Sequence, residues 1–226
     1  MKRFSVPISI LRDAGEFLDE VRRGENLQDK MVSLFWSSVV FFAIYGAIIG
    51  AYHSGLQSLS SAVKLPILYL LTSAICFPTL YILNLLFGTK QTFAQHLVLL
   101  LSALGITGLL LLSFAPITAF FMMTSAHYQF FKLMNVGILG LCAIFGVRFF
   151  FRGMMTISGS EEGEADARVR IIWLWIMLYA FVGSQLGWTL RPFFGSPDLE
   201  FEVMREIGGN FYMNIIEAIK EVFAFD

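Results

Sequence analysis

The residues able to do chemistry are few, and their spacing keeps them apart. Catalysis and ion coupling in a membrane need ionisable groups at bilayer depth, where they are costly and therefore informative. Between Lys30 and Glu161 there is no Asp or Glu, and the basic residues there are only Lys64, Lys90, Lys132, Arg148 and Arg152. Without carboxylates the usual proton or sodium relay is missing, which argues against a pump or an ion-coupled transporter and leaves a neutral pore open. Of the histidines His53, His96 and His127, only His53 and His127 fall on one side. Two ligands with no carboxylate or thiolate partner make a weak metal site. No serine has nucleophile-elbow spacing, no Asp-rich cluster suits magnesium and diphosphate, and there is no phosphate loop. Cys76 and Cys142 lie inside apolar runs and read as small buried hydrophobes. The expectation is a chain that is not an enzyme, with no catalytic, metal-binding or cofactor-binding residues and no cofactor.

What remains are residues suited to packing and partner contact. Gly183 and Gly187 form a small-xxx-small pair, as do Gly46 and Gly50. Such spacing lets helix backbones approach closely, within one chain or between copies. Asn84, Asn135, Ser184 and Gln185 sit inside apolar runs and are expected to hydrogen-bond between helices. Arg191 follows the last apolar run and precedes Pro192. It either snorkels to lipid phosphates or ties the C-terminal tail to neighbouring loops through a carbonyl or carboxylate. Asn210 suits the cap of a helix in which Phe211, Ile215, Ile219 and Val222 align.

These residues must be positioned by helices. Of 226 residues 57% are apolar and 15% charged, against about 25% charged in soluble domains. An apolar run of about 17–25 residues crosses the hydrocarbon layer as a helix, and the alternation of a barrel strand is absent. The fold class expected is all-α, a polytopic bundle with spans at about 32–52, 66–87, 93–114, 132–151 and 171–188. Pro116 is expected to end or kink the third span, with an interfacial segment through Gln129; a further membrane segment over 115–130 is the alternative. An amphipathic helix is expected at each end. Over 8–22, Ile8, Leu11, Phe17, Leu18 and Val21 lie near one face, resting on the cytoplasmic surface or on the bundle. The second falls in the tail 189–226, which is expected to fold back on the bundle.

Orientation follows from the basic residues. With residues 1–31 in the cytoplasm, that side holds eleven Lys and Arg against five on the other, so the C-terminus is expected outside. The first 30 residues carry charges throughout and lack the apolar core of a signal peptide, so the first span is expected to act as its own insertion signal.

The Lys64-Leu65-Pro66 start to the second span, the Gly187 to Gly195 block (Gly-Trp-Thr-Leu-Arg-Pro-Phe-Phe-Gly) and the Gly209 to Tyr212 block (Gly-Asn-Phe-Tyr) together resemble the bacterial Yip-like proteins of the Yip family. The resemblance implies a five-helix membrane bundle without catalytic residues, in the bacterial inner membrane, with a partner-binding or membrane-organising role. It differs from eukaryotic members in its long far-side tail, which puts GTPase binding in doubt. The function expected is a scaffold or accessory subunit that works through protein partners; the alternative is an oligomeric channel or uncoupled transporter. Expected partners are the lipid bilayer and an unknown membrane protein or a second copy of the chain, not nucleic acid.

Overall fold

A segment that crosses hydrocarbon must satisfy its own backbone, and a helix does so locally. A computed structural model describes residues 5–86, 91–124, 127–158, 165–195, 200–204 and 213. The described chain is all-α. Its seven helices are α1 (Ser5–Arg12), α2 (Ala14–Arg23), α3 (Leu27–Ala51), α4 (Gly55–Leu86), α5 (Phe93–Thr124), α6 (Tyr128–Ser158) and α7 (Ala165–Thr189). The last five are long and apolar enough to cross a membrane, so the protein is a multi-pass membrane bundle.

Three boundaries differ from the sequence reading. The expected single helix over 8–22 is two helices, because Asp13 leaves helical geometry and caps α2 by accepting the Glu16 N–H at 3.0 Å. The break changes which apolar residues are covered: Val6, Ile10, Phe17, Leu18 and Val21 are buried, while Ile8 and Leu11 are exposed. α4 starts at Gly55, eleven residues before Pro66, because Ser54 caps its first turn: its hydroxyl accepts from Gln57 N–H at 3.2 Å. α5 runs through Pro116 to Thr124, and Gln129 already belongs to α6. Proline removes one donor, whereas ending the helix in hydrocarbon would strand several.

α3 packs against both α4 and α5, α5 against α6, and α4 against α7. α6 and α7 meet through aromatic side chains, with ring centroids 5.0 Å apart for Phe150–Trp175 and 6.0 Å for Phe151–Trp173. This closes the row around an almost wholly apolar cavity of about 50 Å³ whose walls include Tyr69, Leu104, Thr107, Gly146 and Tyr179. The α3–α4 seam sets backbone against backbone: a Cβ on Gly50 would sit 2.5 Å from the Gln57 carbonyl oxygen and 2.9 Å from Ser58 Cα. Gly183 and Gly187 face α4 as well, where an added Cβ would lie 3.5 Å from Thr72 and 4.0 Å from Leu68.

Candidate functional site

The densest polar construction lies where α4 begins and α7 ends. Gln57, Ser61 and Lys64 are spaced i, i+4 and i+7 and therefore share one face of α4. All three are buried. They grip the segment that leaves α7. Gln57 Nε2 donates to Pro192 O at 2.8 Å and to Phe193 O at 3.3 Å. Ser61 Oγ donates to Phe193 O. Lys64 Nζ donates to Pro192 O at 3.1 Å and to Val203 O, so one ammonium joins two passes of the tail. Beneath this segment, Gly195 adopts φ +64°, and a Cβ there would come 2.6 Å from the His53 ring. Glycine is required at this position for both reasons.

Aromatic packing carries the grip down into the membrane. Phe194 meets Phe131 edge-on at 6.2 Å, and Phe131 stacks on Tyr52 at 4.7 Å. The Phe131 carbonyl accepts from Asn135 Nδ2 at 2.8 Å. Asn135 Oδ1 in turn accepts from Tyr45 Oη at 2.7 Å and from Thr118 Oγ1 at 3.3 Å. This buried trio ties α3, α5 and α6, and each polar group in it finds a partner, as burial in hydrocarbon requires. The same rule holds across the α4–α7 seam, where Trp175 Nε1 donates to Cys76 O at 2.9 Å and Ser73 Oγ lies 3.1 Å from Tyr179 Oη.

Arg191 lies beside this construction. Its guanidinium covers the Trp188 ring, 3.5 Å from the centroid, a cation–π geometry. Ties from side chain to tail carbonyl, of the kind that was one expectation for Arg191, are made by α4. Of the other residues singled out from sequence, Asn135 does reach across helices. Asn84 donates to a carbonyl of its own helix, Leu80 O, and Ser184 donates to Phe181 O, each at 2.8 Å. Gln185 is exposed on α7. Gly183 and Gly187 line the seam with α4, and Asn210 lies outside the described residues, as does the expected helix after it except Met213.

Comparison with protein-family models, with curated proteins and with solved structures finds no match to this chain. The site therefore has to be read from its own geometry. Carbonyl oxygens held by an amide, a hydroxyl and an ammonium are structural bonds: the donors are spent on the backbone and none is aimed at the central cavity. Sequence reasoning gave Gln57 and Ser61 no role and took Lys64 only as the start of the second span. Their common helical face was the available signal.

At the opposite end, Lys30 is buried and donates to Glu20 at 2.8 Å and to the Glu25 carbonyl at 2.7 Å. Gln95 of α5 caps the end of α2 by donating to Val21 O at 3.0 Å and Arg22 O at 3.1 Å. Nearby, Arg23 and Glu25 pair at 2.5 Å, and the hydrogen bond from Arg23 holds the Glu25 carboxyl below its ordinary range.

Proposed function

We propose that this chain is a non-enzymatic multi-pass membrane protein that works through a membrane-protein partner, as a scaffold or accessory subunit. One observation carries the reading. Among the described residues, most of the polar groups at membrane depth named above fasten helices or the tail, Asn84 donating within its own helix, and the cavity between α4, α5, α6 and α7 has almost no polar wall. A pore needs a continuous wettable stripe, and a catalytic site needs polar groups aimed at a shared space. A protein whose interior polarity is mostly fastening is suited to presenting a surface. α7 presents Trp173, Leu174, Met177 and Phe181 outward, with Gln185 near its end. The similarity to the Yip family noted from the Gly187–Gly195 block points the same way.

The placement proposed is the bacterial inner membrane, residues 1–31 cytoplasmic and the tail outside. Cysteines introduced at Gly163 and Ser196 test the orientation: an impermeant thiol reagent added to intact cells should label Ser196→Cys alone. The functional reading is tested by a photo-crosslinking residue at Met177 or Phe181 in cells, followed by mass spectrometry. A discrete protein adduct is expected. Adducts to lipid alone at both positions would count against a partner on α7, and solute flux through the purified protein in liposomes would replace the scaffold by a channel.

A further inference from the structure

We propose that α1 is a membrane-inserted helix of the leaflet on the N-terminal side, with Ile8 and Leu11 in contact with lipid acyl chains. The argument starts from where α1 packs. A Cβ on Gly105 of α5 would lie 3.2 Å from Leu34 and 3.8 Å from both Pro7 and Ser38, so α1 seats its proline in the α3–α5 seam beside Gly105. Val6 and Ile10 are buried with it.

The depth of that seam follows from helix lengths. α5 has 32 residues, about 48 Å at a rise of ~1.5 Å per residue. Centred on a hydrocarbon layer of ~30 Å, it projects about 9 Å at each end. Gly105 lies twelve residues beyond Phe93, about 18 Å along the axis and hence about 9 Å inside the hydrocarbon. α3 gives a similar answer independently: Leu34 and Ser38 are seven and eleven residues beyond Leu27, which places them about 7 and 13 Å inside. α6 gives a third estimate through α2, because Phe17 packs on Phe149 with centroids 6.3 Å apart. Phe149 lies nine residues before Ser158, about 5 Å inside.

At that depth the far face of α1 cannot be in water. Ile8 and Leu11 are 59% and 57% exposed, and they turn away from the seam that buries Val6, Pro7 and Ile10. α3 carries exposed Val32, Phe35 and Trp36 at comparable depth, so the lipid-facing surface of a spanning helix continues onto α1. The charged residues are placed to match. Ser9, Arg12, Asp13, Glu16, Phe17 and Glu20 line an open groove of about 440 Å³, and Gln95 pins the end of α2 close to the start of α5. Apolar residues toward the chains and charges toward the headgroups is the arrangement of an interfacial helix seated about 5–10 Å deep.

Spin labels at single cysteines test this in liposomes, with Cys76→Ala and Cys142→Ala removing the native thiols. Labels at Ile8→Cys and Leu11→Cys should collide freely with oxygen and lose collisions with a water-soluble nickel complex, as a label at the lipid-facing Ile144→Cys should. A label at Asp19→Cys should retain them. Nickel access at positions 8 and 11 equal to that at Asp19 would overturn the proposal by placing α1 in water. Low access to both reagents would overturn it by showing a protein cover. Leu11→Trp in a chain with its native cysteines gives a second measurement: lipids brominated on their chains should quench the added fluorescence, and unchanged fluorescence would also overturn the proposal.

Discussion

Replacing Lys64 by methionine should release the tail segment without unfolding the bundle. Lys64 makes two charge-assisted hydrogen bonds, to Pro192 O and Val203 O, each of a type that contributes about 1.5–3 kcal/mol. Pro192 O keeps its bond from Gln57 at 2.8 Å, so the loss falls chiefly on Val203. Part of it is returned, because the variant no longer buries an ammonium. A net cost of about 2 kcal/mol remains, roughly 30-fold in the population with the segment lifted. The reporter is a thiol at Ser61→Cys, a position fully buried beneath Phe193 that a reagent reaches only when the segment lifts. In detergent, with the native cysteines replaced, Lys64→Met should raise its labelling rate by that factor while the thermal midpoint of the bundle barely moves. Lys64→Arg, which keeps a cation there, should fall between. Equal labelling with and without the Lys64→Met substitution would refute the assignment of Lys64 as the fastener.

Three further outcomes are expected. Tyr45→Phe removes the 2.7 Å bond to Asn135 and leaves Thr118 to satisfy it, so it should cost about 0.6–1.7 kcal/mol, read as a fall of a few degrees in the thermal midpoint. Gly50→Val meets the Gln57 carbonyl and Ser58 Cα, both backbone atoms; it should force α3 and α4 apart and sharply lower the yield of folded protein, whereas Gly137→Ala, which meets nothing within 4 Å, should not. Glu25 has a lowered pKa through its bond with Arg23, so the stability it contributes is present above the ordinary carboxylate range and is lost as pH falls through the lowered value. Glu25→Gln should therefore be slightly less stable than wild type near neutrality, and the difference should vanish in acid; a difference that persists there would assign the effect to something other than this charge.

The five crossings were legible because hydrocarbon tolerates few alternatives: a long uncharged run has to be a helix. What escaped was where polar residues extend a spanning helix. The stretch from Ser54 to Lys64 reads as a loop because it is rich in serine and ends in a lysine, yet those side chains mark the face that holds the tail. Pro116 misleads for a related reason, since its local cost is smaller than that of ending a helix in lipid. The N-terminal pattern is compatible with one helix, and only the Asp13 cap separates α1, which buries Val6 and Ile10, from α2, which buries Phe17, Leu18 and Val21. Arg191 draws attention by its charge and position, but a partner 128 residues away in sequence leaves no local signal, and so Lys64 does not.

That separation has a consequence for how the protein is made. A ribosome adds about 5–20 residues per second, so the stretch from Lys64 to its carbonyl on Pro192, 128 residues later, takes roughly 6–26 s to synthesise. Throughout that interval α4 holds an amide, a hydroxyl and an ammonium whose partners on the tail do not yet exist. The segment that relieves them leaves the ribosome only after the fifth crossing. A chain that stops short of Pro192 stays marked by an unmet charge in its second crossing, and the completed tail erases the mark.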